Sequence, residues 1–331
     1  VTGRCSSDLA LSNLGLNIDE LSLDLRNFLV MYYIRHVEMK IAKEYELGIM
    51  RTPVHLCVGQ EAIPAGVSRY LFPEDKVLSN HRSHGHFLAK GGSLQSLFSE
   101  LLGRESGCAR GRGGSQHLID IGANFIASAP ILGGTVPIGA GIAYSNVLSG
   151  SSGIIVVYLG DAVLEEGILY ETLSFAALKS LPILFVVENN RLSVHTYIQH
   201  RQPIRDLVDI GKAFGLRSFE ADGNDIMEIL SISQIVMQVV RGERKPAIVF
   251  FETFRQLEHV GTQDDSNLGY RNAKESEFWL KRDPLEIAIS YLGDLPKSQL
   301  KLKDQAESKI RRSILDAWDL SIDSDMAKYE S

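Results

Sequence analysis

Between Ile18 and Met50 apolar side chains return every three or four positions, with Leu21, Leu25, Phe28, Leu29 and Tyr32 on one side. That period predicts one or two amphipathic helices wrapping a core or a partner. From Thr52 to Gly122 short helical stretches alternate with two polar runs, Ser79-Asn80-His81-Arg82-Ser83-His84-Gly85-His86 and Gly111-Arg112-Gly113-Gly114-Ser115, which read as working loops. From Ile154 the pattern becomes regular. An apolar run to Leu159 is followed by a helix-length segment, then Leu181-Pro182 and a second apolar run, Ile183 to Val187. Such runs predict strands buried on both faces, and the helix between them makes the strands parallel. A helical segment, Ile226 to Arg241, and a third run, Ala247 to Phe251, continue the alternation. The fold expected is α/β, with a doubly wound, mostly parallel sheet and helical flanks at both ends. From Lys274 onward the pattern is charged and helical, and Asp283-Pro284 takes the N-cap and first-turn positions of one helix. The expected division is an N-terminal helical arm over 1–50, an α/β domain over 51–272 and a C-terminal helical extension over 273–331.

Composition narrows the class. With 331 residues, 44% hydrophobic and 23% charged, the chain can bury a core as one large domain or two ordinary ones. A net charge of −7 gives no general pull toward nucleic acid or an anionic bilayer, so neither is expected as a partner. The longest apolar runs fall far short of the roughly 20 residues that span a membrane. Cys5, Cys57 and Cys108 show no close metal spacing and are expected as free thiols in a reducing compartment. Val1 to Asn17 lacks a basic start and an apolar stretch, so secretion is not expected. The expected location is the cytoplasm, although a mitochondrial matrix protein stripped of its presequence would read the same way.

Two strand ends carry the chemistry. The first apolar strand ends in Gly160-Asp161 and the second in Glu188-Asn189-Asn190. One right-handed crossover separates them, so Asp161 and Asn190 reach the same carboxyl edge, where open α/β sheets bind ligands. Alone, Asp161 would read as a helix N-cap and Asn189-Asn190 as a turn. Together they offer a carboxylate and an amide oxygen, a donor set that suits Mg²⁺. A helix starting just after Asp161, with Leu164, Ile168, Thr172 and Phe175 on one stripe, would turn its N–H groups and positive dipole end toward a phosphate. Two other signals are weaker. His81, His84 and His86 lack a cysteine or carboxylate to complete a zinc site, and Arg82 would set a positive charge against the metal. Gly139-Ala140-Gly141 lacks the third glycine of a dinucleotide loop, and Pro137 interrupts the strand that would precede it.

The pair Gly160-Asp161 and Asn189-Asn190 resembles the thiamine diphosphate motif. Val54-His55-Leu56-Cys57-Val58-Gly59-Gln60-Glu61-Ala62, His81-Arg82-Ser83-His84-Gly85, Gly111-Arg112-Gly113-Gly114-Ser115-Gln116-His117 and Thr253-Phe254-Arg255 extend the match, in order, from about Leu21 to Leu285. The chain resembles the alpha subunit of the decarboxylating component of 2-oxo acid dehydrogenases, the family of the pyruvate, branched-chain and acetoin systems.

That resemblance implies thiamine diphosphate and Mg²⁺ as cofactors. It places Mg²⁺ on Asp161, Asn190 and the carbonyl of Leu192. Ala162 and Val163 would offer amides to the diphosphate, Arg82 a charge-assisted contact, and Pro130 and Leu132 a lining for the aminopyrimidine. His55 and His259 would serve at the reacting carbon, His259 on a loop from Arg255 to Arg271. His81 stands where relatives usually carry Tyr, and Arg255 joins the cofactor-binding set. The family's activating glutamate comes from a pyrimidine-binding domain that this length does not accommodate. A homologous beta subunit is therefore expected, giving two alpha and two beta chains, with a lipoyl acyltransferase as a further partner. The expected reaction is decarboxylation of a small 2-oxo acid with acyl transfer to lipoamide. A carboligase or transketolase-like subunit is the alternative, while a nicotinamide-dependent oxidoreductase and a non-catalytic interaction subunit are minor ones. Ala162, where relatives usually have Gly, is expected at negative φ. Glu165 and Glu166 would oppose a phosphate unless paired or turned away.

Overall fold

The computed structural model describes residues 4–50, 52–203, 206–293 and 295–328. Its centre is a six-stranded sheet: β1 (Lys76–Ser79), β2 (Phe125–Ser128), β3 (Ile155–Gly160), β4 (Ile183–Asn189), β5 (Arg217–Asp222) and β6 (Ala247–Glu252). The spatial order is β2-β1-β3-β4-β6-β5, and every neighbouring pair is parallel. The apolar runs therefore became the central strands β3, β4 and β6. The short β1 and β2, and the half-polar β5, carry no such run and were not separable from loops by pattern alone.

Alternation through the sheet divides the core in two. Val156, Tyr158, Leu184, Val186, Val249 and Phe251 join one apolar cluster, to which helices Leu23–Tyr45, Ala62–Ser68 and Lys297–Ile322 contribute. Ile155, Val157, Phe185, Val187, Ile248 and Phe250 face the other cluster, covered by helices Thr135–Ser149 and Gly167–Leu178. The arm forms a helix, Ser6–Asn13, then, over the stretch read as helical, a 3₁₀ turn, Ile18–Glu20, and one long helix, Leu23–Tyr45. That helix is buried all round over residues 27–34 because Lys297–Ile322 covers the side that amphipathicity would leave in water. Asp283 caps helix Pro284–Ser290 by accepting from Leu285 N–H, as its sequence position predicts. Among the described residues no helix is long and apolar enough to cross a membrane. All three cysteines are free.

One expectation is corrected next to Asp161. No α-helix begins there: Asp161–Glu165 is a 3₁₀ turn, and the α-helix starts at Gly167. The buried face of that helix is Leu169, Thr172, Leu173 and Ala176. A single helical register carried back from it would turn Val163 and Leu164 to the opposite side, yet both are buried in the core. The tighter turn resolves the conflict, and of the predicted stripe Ile168 and Phe175 stay half-exposed. Gly139-Ala140-Gly141 lies inside helix Thr135–Ser149 and forms no loop.

Candidate active site

The strand order reverses between β1 and β3, so the connections leaving their carboxyl ends part and open a crevice. β1 runs into Asn80, His81 and Arg82; β3 ends beside Asp161; β4 continues into Asn190. These residues line one pocket of about 220 Å³, together with Leu192, His55 and His259. Pro130, Leu132 and Ala162 complete the wall on the side of β2 and the 3₁₀ turn. Ala162 has negative φ, so its Cβ imposes no backbone strain.

The charges are arranged asymmetrically. Asp161 is 2% exposed, and burial raises its carboxyl above the usual range although the guanidinium of Arg201 pairs with it. Arg201 also pairs with Glu165, whose carboxylate accepts a further bond from Gln202 Nε2 at 2.8 Å. Glu166 is exposed. The acidic start of this turn is thus neutralised on one side and solvated on the other. Asn190 closes a turn by accepting from Leu192 N–H at 3.1 Å, with Arg191 at a φ of 62°. Val194 on the same wall has a φ of 53°, a conformation costly for a β-branched residue. Arg82 is buried and donates to the carbonyls of Leu56 and His259. Among the described residues no carboxylate lies within ion-pair distance of it. Burial and the nearby Arg255 bring its pKa down to about 10, so it remains a cation at neutral pH. A buried guanidinium bonded to carbonyls on the wall of a pocket has the charge and the donors to receive an anion.

The rings of His55, His81 and His259 meet edge to face, with centroids 4.7, 5.1 and 5.3 Å apart. His55 Nδ1 lies 3.0 Å from Gln116 Nε2. Burial, then the charge of Arg82, lowers His55 to about 3 and His259 to about 4, and drives His81 well down. All three are neutral imidazoles at pH 7. Their nitrogens lie within 4.8 Å of one another, close enough to share a metal, but the adjacent Arg82 opposes a dication. Imidazole ¹⁵N shifts of His55 and His259 are accordingly expected to stay constant above about pH 5. Replacing Arg82 with Gln should move the onset of protonation upward in both. A midpoint near pH 6.5 in the wild type would contradict this.

His84 and His86 point elsewhere. His84 bridges Glu38 and Ser115 at 2.8 Å each, and His86 bridges Ser79 at 2.8 Å and Glu188 at 3.1 Å, so neither nitrogen pair joins His81. The Gly111–Ser115 run also has an internal occupant. The carboxylate of Glu100 accepts from the N–H groups of Ala109, Gly111, Gly113 and Gly114 at 2.7–3.0 Å. Arg255 stands behind the wall: it pairs with Asp265 at 2.7 Å and holds Val194 O at 2.9 Å. Val163 is in the core, leaving its backbone as the part that could reach a ligand. Sequence reasoning assigned no role to Gln60, Gln116, Glu188 or Arg201. The first three stand inside or beside recognised motifs; Arg201 follows the 3₁₀ turn Ile198–His200 in a polar stretch with no pattern to mark it.

Residues 30–330 match the family model described as dehydrogenase E1 component. Among curated proteins, the chain is 31% identical to the pyruvate dehydrogenase E1 component subunit alpha of Rickettsia bellii, over 92% of this chain and 93% of that protein. It is 34% identical to the protein of the same name from Rickettsia felis, over 80% of each. With that from Rhizobium meliloti it shares 30% identity over 90% of this chain and 85% of the other.

Proposed function

From the premise that the chain belongs to the dehydrogenase E1 component family, we propose that it is the alpha subunit of a thiamine diphosphate-dependent enzyme that decarboxylates a 2-oxo acid and passes the acyl unit to an acceptor such as lipoamide. Thiamine diphosphate supplies the carbanion chemistry by which the 2-oxo acid loses carbon dioxide. The observation that carries the reading is one pocket at the sheet's switch point whose wall unites Arg82, a cation without an ion-pair partner among the described residues, with the oxygen donors of Asp161 and Asn190.

The residues divide the work. Asp161, Asn190 and the carbonyl of Leu192 offer hard oxygens to Mg²⁺, which prefers few protein ligands and keeps the rest for phosphate and water. Arg82 and the N–H groups of Ala162 and Val163 would hold the diphosphate, and Pro130 and Leu132 would line the place of the aminopyrimidine. Neutral His55 and His259 each keep a ring nitrogen that can accept a proton beside the reacting carbon, a capacity imidazolium lacks. Arg255 fixes the loop bearing His259.

A second subunit belongs to this proposal. A pocket of about 220 Å³ falls below the roughly 300–1,000 Å³ of complete small-ligand sites. Next to Leu132 of its wall Ile131 is 75% exposed, and Ile138 in the following helix Thr135–Ser149 is 52% exposed. At the far ends of that helix and of Gly167–Leu178, which packs against it, Leu148 and Leu178 are 71% and 78% exposed. Apolar surface of this kind fits burial against another chain. We assign that place to a homologous beta subunit, in an assembly of two alpha and two beta chains in the cytoplasm, with a lipoyl acyltransferase as acceptor. The purified chain alone is expected to release no carbon dioxide from pyruvate with cofactor and Mg²⁺ present. Adding the beta chain should restore turnover and make it thiamine-dependent. Equal rates with and without the beta chain would refute the shared site.

A further inference from the structure

Among the buried side chains described on the pocket wall, Gln60 alone has an amide whose nitrogen and oxygen both lack a partner. It is 1% exposed. Every other buried polar group there is engaged: Arg82 with carbonyls, Asp161 with Arg201, Glu188 with His86, His55 with Gln116, and Asn80 with the N–H of Arg82. An orphaned buried amide carries the full penalty of lost hydrogen bonding to water, and native folds keep few of them.

The backbone around Gln60 leaves little freedom to escape that penalty. Its own N–H donates to Cys57 O at 2.8 Å. Gly59 before it has a φ of +94°, and a Cβ there would lie 2.5 Å from Phe254 O. Glu61 after it accepts from Gly59 N–H and pairs with Arg35. The turn is clamped on both sides of Gln60, whose side chain lines the pocket that His55, His81 and Arg82 also line.

We propose that Gln60 is a substrate-binding residue: its amide N–H donates to the carboxylate of the 2-oxo acid. The inference rests on the functional reading above and deepens it. The chemistry selects this ligand because the Gln60 amide N–H is an unused donor lining the same pocket as the cation Arg82, while the wall's own carboxylates, Asp161 and Glu188, are already engaged by Arg201 and His86. A primary amide can hold a carboxylate by hydrogen bonding without locking it as an ion pair. That suits a group that must leave as neutral carbon dioxide, since a neutral hydrogen bond loses less than an ion pair would as the carboxylate charge disperses, and so lowers KM at little expense to kcat.

The test uses the full chain assembled with its beta subunit, with pyruvate and 2-oxoisovalerate as probes. Gln60→Leu keeps the volume and removes both polar atoms. It is expected to raise KM about tenfold or more while kcat changes less than about threefold. Thiamine diphosphate affinity should stay within about twofold, and the melting temperature of the cofactor-free chain should be unchanged or higher, because no internal bond is lost. Gln60→Glu should raise KM further by setting carboxylate against carboxylate. An unchanged KM, weakened cofactor binding at unchanged KM, or a lowered melting temperature in Gln60→Leu would each overturn the assignment. A wild-type assembly that turns over neither acid would instead bring down the functional reading itself, and this inference with it.

Discussion

Exchange of Asp161 for Asn is expected to lower thiamine-dependent decarboxylation by at least about a hundredfold and to remove the Mg²⁺ dependence of cofactor binding. Of the three proposed metal donors only Asp161 carries charge, and hard cations are held by anionic oxygen before amide or carbonyl oxygen. The fold should survive, because Arg201 retains Glu165 and Asn fills the same space. Calorimetric titration with thiamine diphosphate, with and without Mg²⁺, separates the two effects. A variant that binds cofactor as tightly as the wild type, and still only with Mg²⁺, would remove Asp161 from the metal site.

The second large effect is expected from Asp265→Ala. Asp265 is 1% exposed and pairs with two buried guanidiniums, Arg255 at 2.7 Å and Arg271 at 2.6 Å, while accepting from Tyr270. Removing it leaves two buried cations without their counter-charge, a loss of about 3–5 kcal/mol and on the order of 10 °C in melting temperature. Activity should fall with it, because Arg255 and Arg271 hold the carbonyls of Leu257 and Arg255 and so fix the approach to His259. Arg255→Lys should not restore function, since an ammonium cannot span Asp265, Leu257 and Val194 at once. The pair also sets an acid limit. Burial favours the neutral carboxyl of Asp265, but the bond from Tyr270 and the charges of Arg255 and Arg271 outweigh it and hold the group below the usual carboxylate range. Its stabilisation is therefore complete above the unfolded value, about pH 4, and is lost as pH falls through the lower folded value. A pH-melting series in which Asp265→Ala lost as much stability relative to wild type at pH 2 as at pH 7 would contradict this.

What sequence made legible follows physical lines. β3, β4 and β6 were readable because a strand covered on both faces needs an unbroken apolar run, and crossover handedness then carried Asp161 and Asn190 to one edge. β1 and β5 are short or half-polar, and only their neighbours make them strands. The start of the helix after Asp161 was misjudged because two buried neighbours, Val163 and Leu164, force a tighter turn that helical periodicity cannot anticipate. Most named site residues line one pocket, yet the state of each side chain depended on contacts far along the chain. Arg201 reaches Asp161 across 40 positions, and nothing in its local context announces it. Glu100 fills the glycine-rich run that motif reading left open. Gln60 sat inside a quoted motif, but an amide without partners is visible only when every neighbour has been placed.

The guanidinium of Arg201 has one further consequence. It already satisfies the carboxylate that a metal would need, so a dication bound there would have to displace a tethered cation instead of entering an empty electrostatic well. The observed affinity would be the difference between two competing counter-ions. Glu165 would keep the displaced guanidinium paired, so a dication taking Asp161 would leave Arg201 with a counter-charge, and the remaining positive charge would have to be met by an anionic ligand in the pocket.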